Sequence, residues 1–148
     1  MKQHDDIHSR LHSALKKEKA YLDPTLTLAR LSLIVGTNTT YLSNLINQRY
    51  GRNFRTLVND FRIGYAIYLL TGKRMPFQSK DFCRKCGFAS TSVFYDAFKQ
   101  RMGTSPVRWI SRRDNREVAD YRIAYRRNEF HITMRGGRLD MEDHRCEE

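Results

Sequence analysis

Cys83 and Cys86 stand in a Cys-x-x-Cys spacing, with Cys146 as a third thiol. Such a pair can exchange disulfides or supply half of a zinc site. His4, His8 and His12 recur every four residues. That spacing places imidazoles on one helical face, where two of them can share a metal. Neither set is complete. Zinc needs four ligands, and the chain has no second cysteine pair. No carboxylate joins the histidines in a defined ligand set. The expectation is therefore packing for the two cysteines, since a buried free thiol behaves as a small hydrophobe, and an exposed polar face for the histidines. Nucleophilic catalysis needs a base held against the nucleophile. The five histidines lie in the first dozen residues or after Phe130, away from the middle of the chain. No glycine-rich loop could cradle a phosphate. Catalytic residues, a metal and a cofactor are all left unassigned, and an enzyme is not expected.

A different chemistry is written into two rows of hydrogen-bonding side chains. Thr40, Ser43, Asn44 and Asn47 form one row, and Thr91, Ser92, Tyr95 and Asp96 the other. Asn can pair with adenine N6 and N7, Ser and Thr can bond to several base edges or touch a thymine methyl, and Asp can accept from cytosine N4. On its own, a polar row on a helix is a solvated face. Here the row occurs twice, in a strongly basic part of the chain. The net charge is +11 and the pI about 9.9. Through Arg113 there are 20 Lys/Arg against 7 Asp/Glu, a net of +13; from Asp114 onward there are 7 against 9, a net of −2. An anionic partner is expected for the basic region. Arg49, Arg52, Arg55, Lys99 and Arg101 flank the two rows and are the candidate phosphate contacts. Neither row has Arg at its centre, so guanine reading by a bidentate fork is not the expected mode. Asp96 would repel phosphate.

These rows require helices to carry them. Thr27 is a cap for a helix reaching Val35, with Leu28, Leu31 and Val35 inward. Gly36 makes a turn, Asn38 or Thr39 caps the next helix, and Leu42, Leu45 and Ile46 are its buried side up to Gly51. About 51 residues later the same order returns. A short helix over 81–86 is stopped by Gly87, and Ser90 caps a second. Val93, Phe94, Ala97, Phe98 and Met102 are read as its apolar stripe, and Gly103 and Pro106 close the unit. Between the two lies a helix over 55–71, whose Phe61, Ile63, Ala66, Leu69 and Leu70 could pack on both. The chain opens with a helix over 5–21 built on Ile7, Leu11 and Leu15. After residue 113, helical spacing at 117–127 is followed by two alternating stretches around Gly136-Gly137, a hairpin pattern. An isolated hairpin is marginal and would have to pack on something. The polar end is expected to be mobile. The fold class is thus all-α: a terminal helix (1–22), a first helix-turn-helix lobe (23–54), a long linker helix (55–72), a second helix-turn-helix lobe (73–113), and an extension of unassigned role (114–148), with a helix and a β-hairpin.

The run Phe82-Cys83, Gly87-Phe88, Phe94, Ala97-Phe98-Lys99, Gly103 and Ser105-Pro106 resembles the signature of AraC-type transcription regulators. Leu26-Thr27-Leu28, Leu31, Gly36, Tyr41-Leu42, Gly51, Phe54 and Arg62 resemble that family's first helix-turn-helix and linker. Cys83 and Ser32 each stand where Ala is usual, and Val93 where an aromatic or polar residue is common. The resemblance implies sequence-specific binding of double-stranded DNA in transcription regulation, as an activator, with the second helix of each lobe entering successive major grooves. RNA polymerase, or a signalling domain on a longer parent chain, is the further partner it implies. An alternative keeps the fold but makes the surface a protein-interaction module with weak DNA binding. At 148 residues the chain has no room for the large sensor domain that often accompanies such domains, so it reads as a piece of a larger regulator or a small stand-alone one. The odd cysteine count and lack of an apolar signal segment point to a reducing cytoplasm. No apolar run approaches the roughly 20 residues that span a bilayer. The oligomeric state stays open.

Overall fold

The computed structural model describes residues 2–72, 80–111, 132–135 and 138–141. Seven α-helices carry these residues up to Ser111: α1 (Lys2–His12), α2 (Leu28–Val35), α3 (Thr39–Tyr50), α4 (Phe54–Gly72), α5 (Lys80–Lys85), α6 (Thr91–Met102) and α7 (Pro106–Ser111). Helix starts follow one local rule. A side-chain oxygen accepts from the backbone N–H three residues on, satisfying a donor that the helix leaves free. Thr27 takes Arg30 N at 3.1 Å, Asn38 takes Tyr41 N at 2.8 Å and Ser90 takes Val93 N at 3.2 Å. Asn53 and Ser105 do the same for Thr56 N and Arg108 N.

The helices enclose two apolar clusters. The first gathers Ile7, Leu11 and Leu15 with Leu31, Val35, Leu42, Leu45 and Ile46. The second gathers Phe82, Cys83, Cys86, Phe88, Phe94, Phe98, Met102 and Trp109. Helix α4 serves both. Its Leu57, Val58 and Phe61 enter the first cluster, and its Ile63, Ala66, Ile67 and Leu69 enter the second. Tyr65 borders each. Burying both faces of one amphipathic helix explains how a helix containing Gly64 holds: tertiary packing outweighs the roughly 1 kcal/mol that glycine costs there.

Three elements differ from the sequence reading. The N-terminal helix is not continuous to residue 21. It passes through a wide π-type turn at Ser13–Lys17, and Lys19 adopts a left-handed conformation (φ 53°) before a short 3-10 turn at Ala20–Leu22. The turn swings Tyr21 inward, where its ring stacks on Phe61 at 5.2 Å. Lys19 Nζ then rests over the Tyr65 ring at 5.6 Å, a cation–π contact that offsets part of the backbone strain. Secondly, Pro106 opens a helix rather than merely closing the unit. Proline suits the first helical position, where an N–H would be unpaired anyway, and α7 delivers Trp109 edge-on to Phe98, 6.1 Å between ring centroids. Thirdly, Val93 does not join the buried stripe of α6; it is 45 % exposed.

In the C-terminal extension, β1 (Ile132–Arg135) and β2 (Arg138–Met141) pair antiparallel, Ile132 opposite Met141 and Arg135 opposite Arg138. β1 lies beside α4, which gives the two strands the support a lone hairpin lacks. The helix expected at 117–127 and the polar end lie outside the described residues.

Candidate nucleic-acid interface

Helix α3 is held by Leu42, Leu45 and Ile46, each at most 2 % exposed. Residues on its other side must face away from that core. Thr40, Asn44 and Asn47 are exposed and Ser43 is half-buried beside them. Their spacing of three or four residues aligns them along one helical face.

Helix α6 is held by Phe94, Ala97, Phe98 and Met102. Its outward arc is shifted from the row read in the sequence. Ser92 and Asp96 are exposed, together with Val93, Lys99 and Gln100. Thr91 and Tyr95 are half-buried at the edge: Thr91 hydrogen-bonds Cys83, and the Tyr95 ring packs edge-on against Phe94 at 5.6 Å. The sequence row thus divides, with Ser92 and Asp96 on the outward face and Thr91 and Tyr95 bracing its flank. Val93 is the outward residue that the sequence reading misplaces; Gln100 falls on the polar side of this helix in the sequence as well, though not among the candidate base contacts. The signal for Gln100 was present, since 93, 96 and 100 share one helical side; Val93 was absorbed into the apolar stripe by its chemistry.

A groove of about 400 Å³ runs between α6 and the first turns of α4, lined by Arg55, Thr56, Asn59, Val93, Asp96, Ala97 and Gln100. It sets Arg55 and Asp96 on walls of the same hollow. The linker helix therefore contributes polar side chains next to the second lobe's outward face, beyond its role as a spacer.

The five basic candidates separate into two groups. Arg55 and Lys99 are exposed. The other three point elsewhere. Arg49 donates to Nδ1 of His8, drawing it toward α1. Arg52 and Arg101 both reach the carboxylate of Asp60 on α4. Their side chains are 20 % exposed and that of Asp60 only 5 %. Burial pushes the Asp60 carboxyl up to about 6, against the opposing pull of Arg101 and Arg52. Burial also pulls the Arg101 guanidinium below its ordinary range. The physical reason is ordinary: a buried carboxylate needs charged donors, and these two arginines are the ones within reach.

The thiols and histidines lie as follows. Cys83 and Cys86 are buried and free in the second core. Burial, then the neighbouring Cys83, pushes the Cys86 thiol up to about 12, so it rests as a neutral thiol at neutral pH. His12 is held below its usual value, first by burial and then by Lys16, Arg49 and Lys17. Among the described residues, no three His, Cys, Asp or Glu side chains gather as a metal site would require. Nor is any described helix long and apolar enough to cross a membrane.

Two capped helix-turn-helix units on one linker, each with a polar second helix facing outward, form a recognisable class. A family model described as a helix-turn-helix domain matches residues 31–112. The chain belongs to the AraC-type helix-turn-helix family. It is therefore a DNA-binding domain of the kind used in transcription regulation. A stretch of 74 residues, half of this chain, is 36 % identical to the TCP pilus virulence regulatory protein of Vibrio cholerae serotype O1, and spans 26 % of that relative's length. Two solved structures share the fold. The C-terminal domain of AraT, a response regulator from Geobacillus stearothermophilus, superposes with a TM-score of 0.60 at 23 % identity, covering 93 % of this chain and 94 % of that one. A transcriptional regulator with an AraC-type DNA-binding domain from Chromobacterium violaceum gives 0.57 at 17 % identity, covering 80 % and 93 %. These three proteins are described as regulators.

Proposed function

We propose that the chain binds specific duplex sequences by laying α3 and α6 into successive major grooves, and that it regulates transcription in the cytoplasm as an activator. The observation that carries this reading is the pairing of two outward polar helix faces within a region of net charge +13. Thr40, Ser43, Asn44 and Asn47 read base edges from α3. Ser92 reads from α6, where Val93 adds an apolar surface suited to a thymine methyl and Gln100 a partner for adenine, while Asp96 beside them repels phosphate. Thr91 and Tyr95 hold the α6 face in place. Arg55 and Lys99 neutralise phosphates; Arg49, Arg52 and Arg101 act there only if released from His8 and Asp60. Grooves on one face of B-DNA recur about every 34 Å, and α4 sets that separation.

Selection of bound duplexes from a random library, followed by salt titration, tests the reading. Asn44→Ala should cost about 1–3 kcal/mol and relax preference at one base pair. Arg55→Ala should weaken all sequences alike and flatten the salt slope by about 0.9 for the one phosphate lost. Failure to enrich any sequence would sink the proposal.

One observation favours a second reading. Leu33 and Ile34 on α2 are 80 % and 50 % exposed, an apolar pair suited to a protein partner such as RNA polymerase or a signalling domain. If that contact were the chief function, binding to random duplex would respond little to salt.

A further inference from the structure

Each apolar cluster is closed within its own lobe, and α4 is the element they share. Packing on a common helix leaves the rotation of one lobe about the other weakly set. Two polar joints brace it. On one side of α4, Arg62 donates from Nε to Tyr21 O at 2.6 Å and lies over the Phe88 ring at 5.9 Å. On the other side Asp60 receives Arg52 and Arg101. Residues 60 and 62 are two apart, so their side chains leave the helix about 200° from one another.

We infer that Asp60 is a positioning residue, whose carboxylate holds Arg52 and Arg101 together and so fixes the angle between the two reading helices. The anchoring points suit that task. Arg52 follows Gly51, the C-terminal cap of α3. Arg101 lies in the last turn of α6. Asp60 sits between them on the linker. Each reading helix is therefore gripped at its end by the same carboxylate. Guanidinium groups are planar forks that bond a carboxylate in fixed directions, so this joint selects an orientation where an apolar contact would tolerate several. Buried ionic groups of this kind contribute little net stability, and their best-attested use is to specify geometry. Two arginines on one acid also leave the joint with excess positive charge, so removal of Asp60 leaves two cations that repel each other and separate.

This inference rests on the proposal that α3 and α6 both engage DNA, and the test has one arm that does not. In the first arm, Asp60→Asn is compared with the parent chain on a duplex selected from a random library, on each half of that duplex, and on versions with one or two base pairs inserted between the halves. Binding to each half should hold or tighten, since Arg52 and Arg101 are released toward phosphate; the gain from joining the halves should fall about tenfold, and the penalty for altered spacing should flatten. In the second arm, spin labels at Gln48→Cys and Lys85→Cys, both exposed positions, report the distance between lobes in the full chain with Cys146→Ser. The distribution should broaden in Asp60→Asn. Should Asp60→Asn not melt cooperatively, Arg101→Gln takes its place in the second arm, which does not read DNA binding. Unchanged spacing preference with an unchanged distance distribution would overturn the inference. If the parent chain binds no duplex, the DNA reading fails while the label distances still decide whether Asp60 sets the lobes.

Discussion

Gly87 gives the most direct test of how the lobes meet. Its φ is +89°, in the left-handed region. A Cβ built there would lie 2.4 Å from Tyr21 O, 2.8 Å from Arg62 Nε and 3.1 Å from Leu22 Cα. Two of those three atoms are backbone, so no side-chain rotation relieves the contact. The first two are hydrogen-bonded to each other, so pushing Tyr21 away breaks the Arg62 joint as well. Left-handed backbone costs a non-glycine residue about 1–2 kcal/mol. Leaving a part-buried donor and carbonyl unpaired costs about 1–3 kcal/mol more. Gly87→Ala should therefore destabilise by roughly 2–5 kcal/mol, a large share of the 5–15 kcal/mol typical of a domain. Gly51 is the control. It has φ +65° with no neighbour within 4 Å of the added atom, so Gly51→Ala should lose only about 1–2 kcal/mol. Urea denaturation of both variants, with matching slopes, isolates the contact contribution as the difference between them. Equal losses would mean that the close approach of the N-terminal segment, α4 and the second lobe is absent in solution.

Phe98 is fully buried between Phe94 and Trp109, so Phe98→Ala should cost about 3–5 kcal/mol; an unchanged melting temperature would remove it from the core. Asp60 sets a pH dependence opposite to that of a surface ion pair. Its carboxyl titrates at about 6 when folded, against an ordinary 3.8, so between those values the folded chain holds more protons than the unfolded one. Stability from this group is then fully present below about pH 4 and is lost as pH rises to about 6, on the order of 3 kcal/mol in all. Denaturation curves across that range for the parent chain and Asp60→Asn should show the difference falling with pH. A difference that rises would mean that Arg101 and Arg52 outweigh burial.

Much of this fold was legible because its determinants are local. Thr27, Asn38 and Ser90 reveal their helices since a cap bond spans only three residues. Gly36, Gly51, Gly87 and Gly103 mark stops because each takes a positive φ. The stripe of Leu42, Leu45 and Ile46 could bury only one side of α3. What stayed hidden is set by tertiary contact. Lys19 turns left-handed so that Tyr21 can reach Phe61, 40 residues away. Val93 is apolar, so its type says buried while the angle at which α6 rests on Phe94 and Phe98 leaves it outside. Pro106 carries two opposite meanings, helix end and helix start, and only the Phe98–Trp109 contact chooses. The triad is the clearest case. Asp60 and Arg101 are 41 positions apart, and nothing in the charge pattern tells an arginine that meets phosphate from one that meets a buried acid.

The lobes are not electrically equivalent, and Asp96 is the reason. The α3 face is uncharged, whereas Asp96 is exposed on the outward arc of α6 and shares its groove with Arg55. A carboxylate about 7 Å from a phosphate in water is repelled by roughly 0.6 kcal/mol. Asp96→Ala should therefore tighten binding to random duplex by about twofold to threefold at low salt. It also relieves Arg55 of a competing neighbour, so the salt dependence should steepen. Affinity for a selected duplex should then change no more than affinity for a random one, and α3 should carry the larger part of specific binding. The comparison is a titration of both duplexes at two salt concentrations. If Asp96→Ala instead abolishes preference for the selected duplex while random binding tightens, the carboxylate is accepting from a cytosine N4. Repulsion from the backbone would then be the cost of a specific contact, and α6 would read as much of the sequence as α3.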